Sequence, residues 1–412
     1  MQSVELGPVA PADRTQSGLD LFLIFAGANI VATTLQLGAG LAGRLDPWTA
    51  MTAIAIGGVG GAALVAALAP IGPKLGVPSI VASRAALGFS GAGLLALLLF
   101  LTNFVWIALN NVIAASICAR LFGGASSLAV WAVGAGVVTT AIVAGGPRAV
   151  GRADRLAVPL LAISGLVMTV ACFRAIWPAE VPTAPMSTHG WLGALDVTAG
   201  YQATWLLMFA DYSRYNRSGR SAAVAVFLGL ALTAVWFMPL GFAAATVAGS
   251  ADPGAMVQAL GLGWWGALLI MTATITTNFV NIYMSALALK SLRPATADRA
   301  GVWLIGGIGA ALSVLSTAWL DRFASFTVLL ASLLVPIGGI LLAHYFVLRR
   351  PVRVEDLYAT AGPYGARGGW SVAGVAAWVA GAATFHLTTA IGGTLPSLAV
   401  AIATYSALAR KP

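Results

Sequence analysis

Within one apolar stretch, MTATITTNFVNIYMSALAL (Met271–Leu289), four side chains carry hydroxyl or amide groups at close spacing: Thr276, Thr277, Asn278 and Asn281. Asn278 and Asn281 are three apart, so a helix brings them near one face. Thr276 and Thr277 add two hydroxyl oxygens half-way along it. Such oxygens, joined by main-chain carbonyls, make a shell suited to a hard cation such as Na⁺. The competing use is local, with each hydroxyl bonded back to a carbonyl of its own helix.

A second constellation lies in FLTNFVWIALNNVIAA, where Trp106 and Asn110 are four apart and share a helical face. An indole plane with an amide one turn away suits a flat heterocycle, the ring stacking and the amide bonding its edge. Packing of the ring, with Asn110 bonded to a neighbouring helix, is the alternative. A third pattern occurs twice. Ala26-Gly27-Ala28-Asn29 and Ala199-Gly200-Tyr201-Gln202 each place a glycine beside an amide near the middle of an apolar segment, and Trp205 follows one turn after the second. Glycine weakens a helix interior, and a neighbouring amide can bond the main-chain groups that a break sets free. Gly27 and Gly200 could instead serve only close helix packing.

The elements that must position these residues follow from composition. The 412-residue chain is 59% hydrophobic and 8% charged, whereas a soluble domain carries about 25% charged residues. Lipid must surround most of it. The apolar runs are long rather than alternating, which selects helices over a barrel. Twelve membrane spans are expected, near 19–43, 48–70, 92–121, 127–145, 155–176, 191–211, 221–248, 262–289, 301–319, 324–347, 371–390 and 393–409. The segment 71–91 is too polar to cross and reads as a loop or a short helix on the membrane face.

With the N-terminus in the cytoplasm, only Arg44, Arg120, Arg174 and Arg322 fall outside, and the other eighteen of the 22 basic residues fall inside. That asymmetry fixes orientation and span number. It places both termini in the cytoplasm of an inner (plasma) membrane protein, and it accounts for the net charge of +9 without nucleic-acid binding. No cleavable signal peptide is expected. Cys118 and Cys172 form no disulfide framework, and His189, His344 and His386 have no ligand spacing. No cofactor and no obligate protein partner is expected. Most acidic residues lie in loops or at span ends, so Na⁺ rather than H⁺ is the expected coupling ion. Asp196, about one turn inside span 6, is the carboxylate that could reverse this, or it is an ordinary cap.

The segment Phe209-Ala210-Asp211-Tyr212-Ser213-Arg214-Tyr215 resembles a hallmark of nucleobase–cation symporter family 1, which includes cytosine and hydantoin permeases. Pro78-Ser79 and Ser83-Arg84 leading to Gly88, the Trp106 region and Thr276-Thr277-Asn278 resemble it too. The resemblance covers essentially the whole chain. It implies an all-α integral membrane protein with a five-plus-five inverted repeat of the leucine-transporter type and two further C-terminal helices. The boundaries would be a cytoplasmic segment 1–18, a core 19–348 with repeats at about 19–176 and 191–348, a cytoplasmic loop 349–370, and two extra helices with a tail at 371–412.

The resemblance also implies roles. Trp106 is the stacking ring and Asn110 its hydrogen-bonding neighbour. Thr276 and Thr277 face Na⁺, together with carbonyls near Gly27 and Ile30. Asn278 or Asn281 reaches the substrate from span 8. Asn29 in span 1 and Tyr201, Gln202 or Trp205 in span 6 complete the substrate set. The expected activity is Na⁺-coupled import of a small planar heterocycle by alternating access. Cytosine or another nucleobase leads, with hydantoin, allantoin or hydroxymethylpyrimidine as alternatives. The pattern supports a membrane enzyme or a channel less well: no nucleophile–base pair or carboxylate pair is visible, and two matched central breaks suit a transporter.

Overall fold

The computed structural model describes residues 6–122, 127–145, 147–176, 188–293, 295–315 and 322–409. The basic tail Arg410–Lys411 and the end of span 9 lie outside the described residues. The side chains of 146–158 and 176–189 are likewise not described. The described chain is helical, without named strands. Among the described residues, five helices are long and apolar enough to cross a membrane, and a bent pair makes a sixth crossing if taken as one span. Shorter apolar helices stand at the positions of spans 4, 5, 9, 11 and 12, whereas span 6 is a helix over Thr188–Ala203 followed by a 3₁₀ turn.

Span 1 is that bent pair, α1 (Gly18–Asn29) and α2 (Ala32–Ala39). Ser17 opens α1 with a capping box, accepting from the Asp20 N–H while Asp20 accepts from the Ser17 N–H. Then follow α3 (Pro47–Leu68), the short α4 (Ile71–Leu75) and α5 (Ser79–Phe122). Next come α6 (Leu128–Ala144), α7 (Pro147–Ile176), α8 (Thr188–Ala203), α9 (Gly219–Ala248) and α10 (Pro253–Ala259). The chain ends with α11 (Gly263–Leu292), α12 (Asp298–Leu312), α13 (Phe323–Leu342), α14 (Val372–Leu387) and α15 (Thr394–Ala409).

The polar segment 71–91 folds as α4 and the first turns of α5. It is set off from the membrane part of α5 at Gly88, whose φ of 80° and ψ of 174° only glycine adopts readily. That kink frees two main-chain groups, and the loop 349–370 and the residue following it take both. Phe89 N–H donates to Tyr364 O at 3.1 Å, and Leu87 O accepts from Ser371 N–H at 3.0 Å. Arg84 fastens the same loop. It donates to Leu357 O at 2.8 Å and stands 4.6 Å over the Phe89 ring and 5.9 Å from that of Tyr358. Burial pushes the Tyr358 phenol up to about 12. It therefore stays protonated near neutral pH and donates to Leu6 O at 2.5 Å. The N-terminal segment thus lies strapped across this end of the bundle, with Val9 N–H on Gly76 O and Gln16 N–H on Tyr215 O.

Close packing through glycine is sharpest between α2 and α9. A Cβ at Gly38 would run into the Met238 carbonyl, and one at Gly241 into the Leu35 carbonyl. Gly38→Ala and Gly241→Ala should each cost about 1–3 kcal/mol through overpacking. The fall in melting temperature of purified protein measures it; an unchanged value would mean that the two helices are not in backbone contact.

Candidate functional site

Each glycine–amide segment precedes a change in its helix, a bend three residues after Gly27 and a tightening to 3₁₀ four residues after Gly200. In span 1, Gly27 is still helical and Ile30 N–H still bonds Ala26 O at 2.9 Å. The chain leaves the helix at Ile30 (φ −80°, ψ 72°) and Val31 (φ −138°, ψ 160°), and α2 resumes bent by 52°. In span 6, Gly200 is helical and sits against Ala331 of α13, where it permits close packing. The helix tightens to 3₁₀ only at Thr204–Met208.

The neighbouring amides do not repair the main chain of their own spans. Asn29 Nδ2 donates to Leu230 O at 3.3 Å and Thr233 Oγ1 at 2.8 Å, and Gln202 Nε2 donates to the same Leu230 O at 3.1 Å. Both side chains are fully buried. One carbonyl of α9 therefore anchors the residue just before each break. Tyr201 adds a second tie, its hydroxyl standing 3.0 Å from Thr33 Oγ1 and 2.9 Å from Thr34 Oγ1.

Between the breaks lies a narrow cavity of about 60 Å³. So small a space holds only a few waters, and a bulky ligand would have to push the walls apart. Trp106, Tyr201, Trp205, Thr277 and Asn281 line it. Gly27 and Ile30 each adjoin a lining residue, Ala28 and Val31 respectively. Trp106 is boxed edge-on by Tyr201, Phe323 and Phe326, with centroids 6.0, 5.9 and 5.2 Å away. Those contacts fix its plane. Asn110, by contrast, donates to Trp106 O at 2.9 Å, leaves its buried Oδ1 without a partner among the described residues, and does not line the cavity.

On α11, Thr277 Oγ1 donates to Ala273 O at 2.6 Å, and Thr276 Oγ1 donates to Thr272 O and Ala273 O at 3.0 and 3.1 Å. The local bonding is therefore present. It uses each hydroxyl's proton and leaves oxygen lone pairs, which are what a cation needs. Asn278 lies behind the lining, donating to Asn111 Oδ1 at 2.9 Å, and Asn281 Nδ2 donates to Asn278 Oδ1 at 3.2 Å. Four polar cavity residues escaped the sequence reading: Thr33, Thr204, Thr102 and Asn103. The last two sit four and three residues before Trp106, on its face, and that spacing was available as a signal.

A larger vestibule of about 1390 Å³ opens at the end of the bundle that carries Arg44, Arg120 and Asp252. Phe323 lines it and also touches Trp106, so a thin aromatic layer separates the two spaces. Asp196 lines the vestibule but is engaged as a cap, accepting from Gly393 N–H at 2.6 Å and Thr394 N–H at 3.0 Å where α15 begins.

An all-helical bundle with two interrupted helices around a polar-and-aromatic cavity is the architecture of a multi-pass membrane permease. The family described as permease for cytosine/purines, uracil, thiamine, allantoin matches residues 8–407. The chain belongs to this family, nucleobase–cation symporter family 1. It is 25% identical over 384 residues to the putative purine-cytosine permease YxlA of Bacillus subtilis, covering 86% of this chain and 81% of that one. It is 26% identical over 356 residues to the cytosine permease of Escherichia coli K12, covering 84% and 81%. Its fold matches that of Mhp1, a nucleobase-cation-symport-1 family transporter, in a closed conformation with bromovinylhydantoin bound. The TM-score is 0.82 at 20% identity, with 99% and 96% of the chains covered. Family membership makes the protein a transporter and not an enzyme.

Proposed function

We propose that this permease imports a small planar nitrogenous heterocycle, with cytosine or another nucleobase leading, by Na⁺-coupled symport through alternating access. The observation that carries the reading is the cavity between the two broken spans, walled by Trp106 on one side and by Thr277 and Asn281 on another. The named relatives, cytosine and purine-cytosine permeases, favour a nucleobase. The printed description of Mhp1 as a nucleobase-cation symporter favours a coupling cation. In this proposal Thr276, Thr277 and the carbonyls at Gly27 and Ile30 hold Na⁺. Trp106 stacks the ring, and Asn281 reads its edge, with Asn278 supporting it from behind. Tyr201 and Trp205 close the opposite wall, while Asn29, Gln202 and Asn110 position the elements around them.

The same proposal takes the chain as twelve crossings in two inverted repeats, about 19–176 and 191–348. The loop 349–370 and both termini are cytoplasmic, and 371–412 is an appended pair of helices. The large vestibule then faces outward, and the strapped N-terminal segment seals the cytoplasmic side. A thermal-shift screen of purified protein against nucleobases, hydantoins and pyrimidine precursors, with and without Na⁺, tests it: true ligands raise the melting temperature by mass action. Failure of every planar heterocycle would overturn the reading. Thr276→Ala combined with Thr277→Ala should remove the Na⁺-dependent part of the shift while leaving the Na⁺-free melting temperature near that of the parent. Retained Na⁺ dependence would move the cation elsewhere.

A further inference from the structure

The geometry points to residues 6–17 as a releasable strap that sets the balance between the outward-facing and inward-facing states. The inference rests on the alternating-access reading and deepens it. The central cavity lies between span 6, which supplies Leu207 and Met208, and α5 and α13, which supply Leu99 and Leu334. A path from it to the cytoplasm therefore runs along the seam between those elements. The seam is closed where α5 begins. Ala210 N–H donates to Ser79 Oγ at 2.8 Å, and Ser79 N–H donates to Asp211 Oδ2 at 3.4 Å. Leu207 and Met208 also share one packed cluster with Leu75, Val77 and Ile80, and Leu6 of the strap packs against it.

The strap is bonded on both sides of this seam. On one side are α4 and the turn after span 6. There Gly7 O accepts from Arg214 Nη1 at 3.3 Å, Gln16 N–H donates to Tyr215 O at 2.9 Å, and Val9 N–H donates to Gly76 O at 2.8 Å. Arg14 Nη1 donates to Pro73 O at 2.5 Å, while its Nε and Nη2 fold back on Val9 O at 3.2 and 3.0 Å. Gly76 makes room for this bend, since a Cβ there would strike Arg14 and Val9 O. On the other side is the loop 349–370, which Arg84 fastens to α5. Among the described residues, the strap's hydrogen bond to that side is the one from Tyr358 Oη to Leu6 O. Most of these bonds use main-chain groups of the strap, and water can satisfy the same groups once the strap lifts, so release strands nothing buried. Tyr358 is the clasp, and Arg14 holds the strap in the shape that reaches it.

Labelling of purified protein by a water-soluble maleimide tests this, in a background of Cys118→Ala and Cys172→Ala carrying one reporter at a time. Val77→Cys reports on the cluster beneath the strap and Ala324→Cys on the outer vestibule. Removing residues 1–9 should speed labelling of the inner reporter and slow that of the outer one, each by about threefold or more, because one equilibrium governs both ends. Tyr358→Phe deletes a single hydroxyl and keeps the ring beside Arg84. It should move both reporters in the same directions by a smaller factor, and it decides the matter if the trimmed protein fails to fold. A strap that merely covers the cytoplasmic end would speed the inner reporter and leave the outer one unchanged. That result, or no change in either reporter, would overturn the proposal. The labelling needs no ligand, so its failure is distinct from that of the proposed function, which falls if the parent protein binds no planar heterocycle.

Discussion

Trp106→Ala is expected to weaken substrate binding by roughly 10- to 100-fold, because stacking of a flat base on an aromatic ring is worth about 1–3 kcal/mol. Three edge-on rings hold the indole plane in place before any ligand arrives, so little ordering cost falls on binding. Trp106→Phe keeps a stacking face and should retain most of the affinity. Binding isotherms of the three proteins, with melting temperatures alongside, check the order. Unchanged affinity in the alanine variant would remove the stacking assignment, whereas loss matched by a collapse in melting temperature would point to packing alone.

Arg214→Ala should have the largest effect on stability, about 3–5 kcal/mol, because it strands a buried carboxylate. The guanidinium is 1% exposed and Asp211 is 4% exposed. Arg214 donates to Gly7 O at 3.3 Å and Tyr215 Oη at 2.9 Å, and stands 4.9 Å over the Tyr215 ring. Its positive charge also acts on Asp211. A solvated pair at a helix end would be worth well under 1 kcal/mol, and burial rules that description out here. The double variant Asp211→Asn with Arg214→Met should recover much of the loss, since no lone charge remains inside. A melting temperature for Arg214→Ala within a degree or two of the parent would contradict the account.

Several residues that line the cavity were more legible in the sequence than the positions at which the helices change course. Glycine–amide clusters announced two interruptions, since both residue types are costly inside an apolar helix unless used. Their positions were misjudged because local propensity cannot see what a glycine packs against: Gly200 is committed to Ala331, so span 6 stays helical past it. Asn29 and Gln202 find their acceptor 201 and 28 residues away, a pairing that only the tertiary fold creates. Thr277 and Asn281, which line the cavity, drew notice because four polar side chains in six positions of an apolar run need a reason. Asn103 was overlooked beside the more conspicuous Trp106. The N-terminal strap left no pattern, because what it offers to the rest of the fold is largely main chain: Val9 N–H to Gly76 O, and the Leu6 and Gly7 carbonyls to the side chains of Tyr358 and Arg214.

The shared attachment of Asn29 and Gln202 to a single oxygen has a mechanical corollary. Two hinges fastened to one rivet cannot swing independently; any tilt of α9 against its neighbours loosens or tightens both together. A conventional alanine scan would pass over that rivet, because the Leu230 oxygen belongs to the main chain and survives every replacement made at that position.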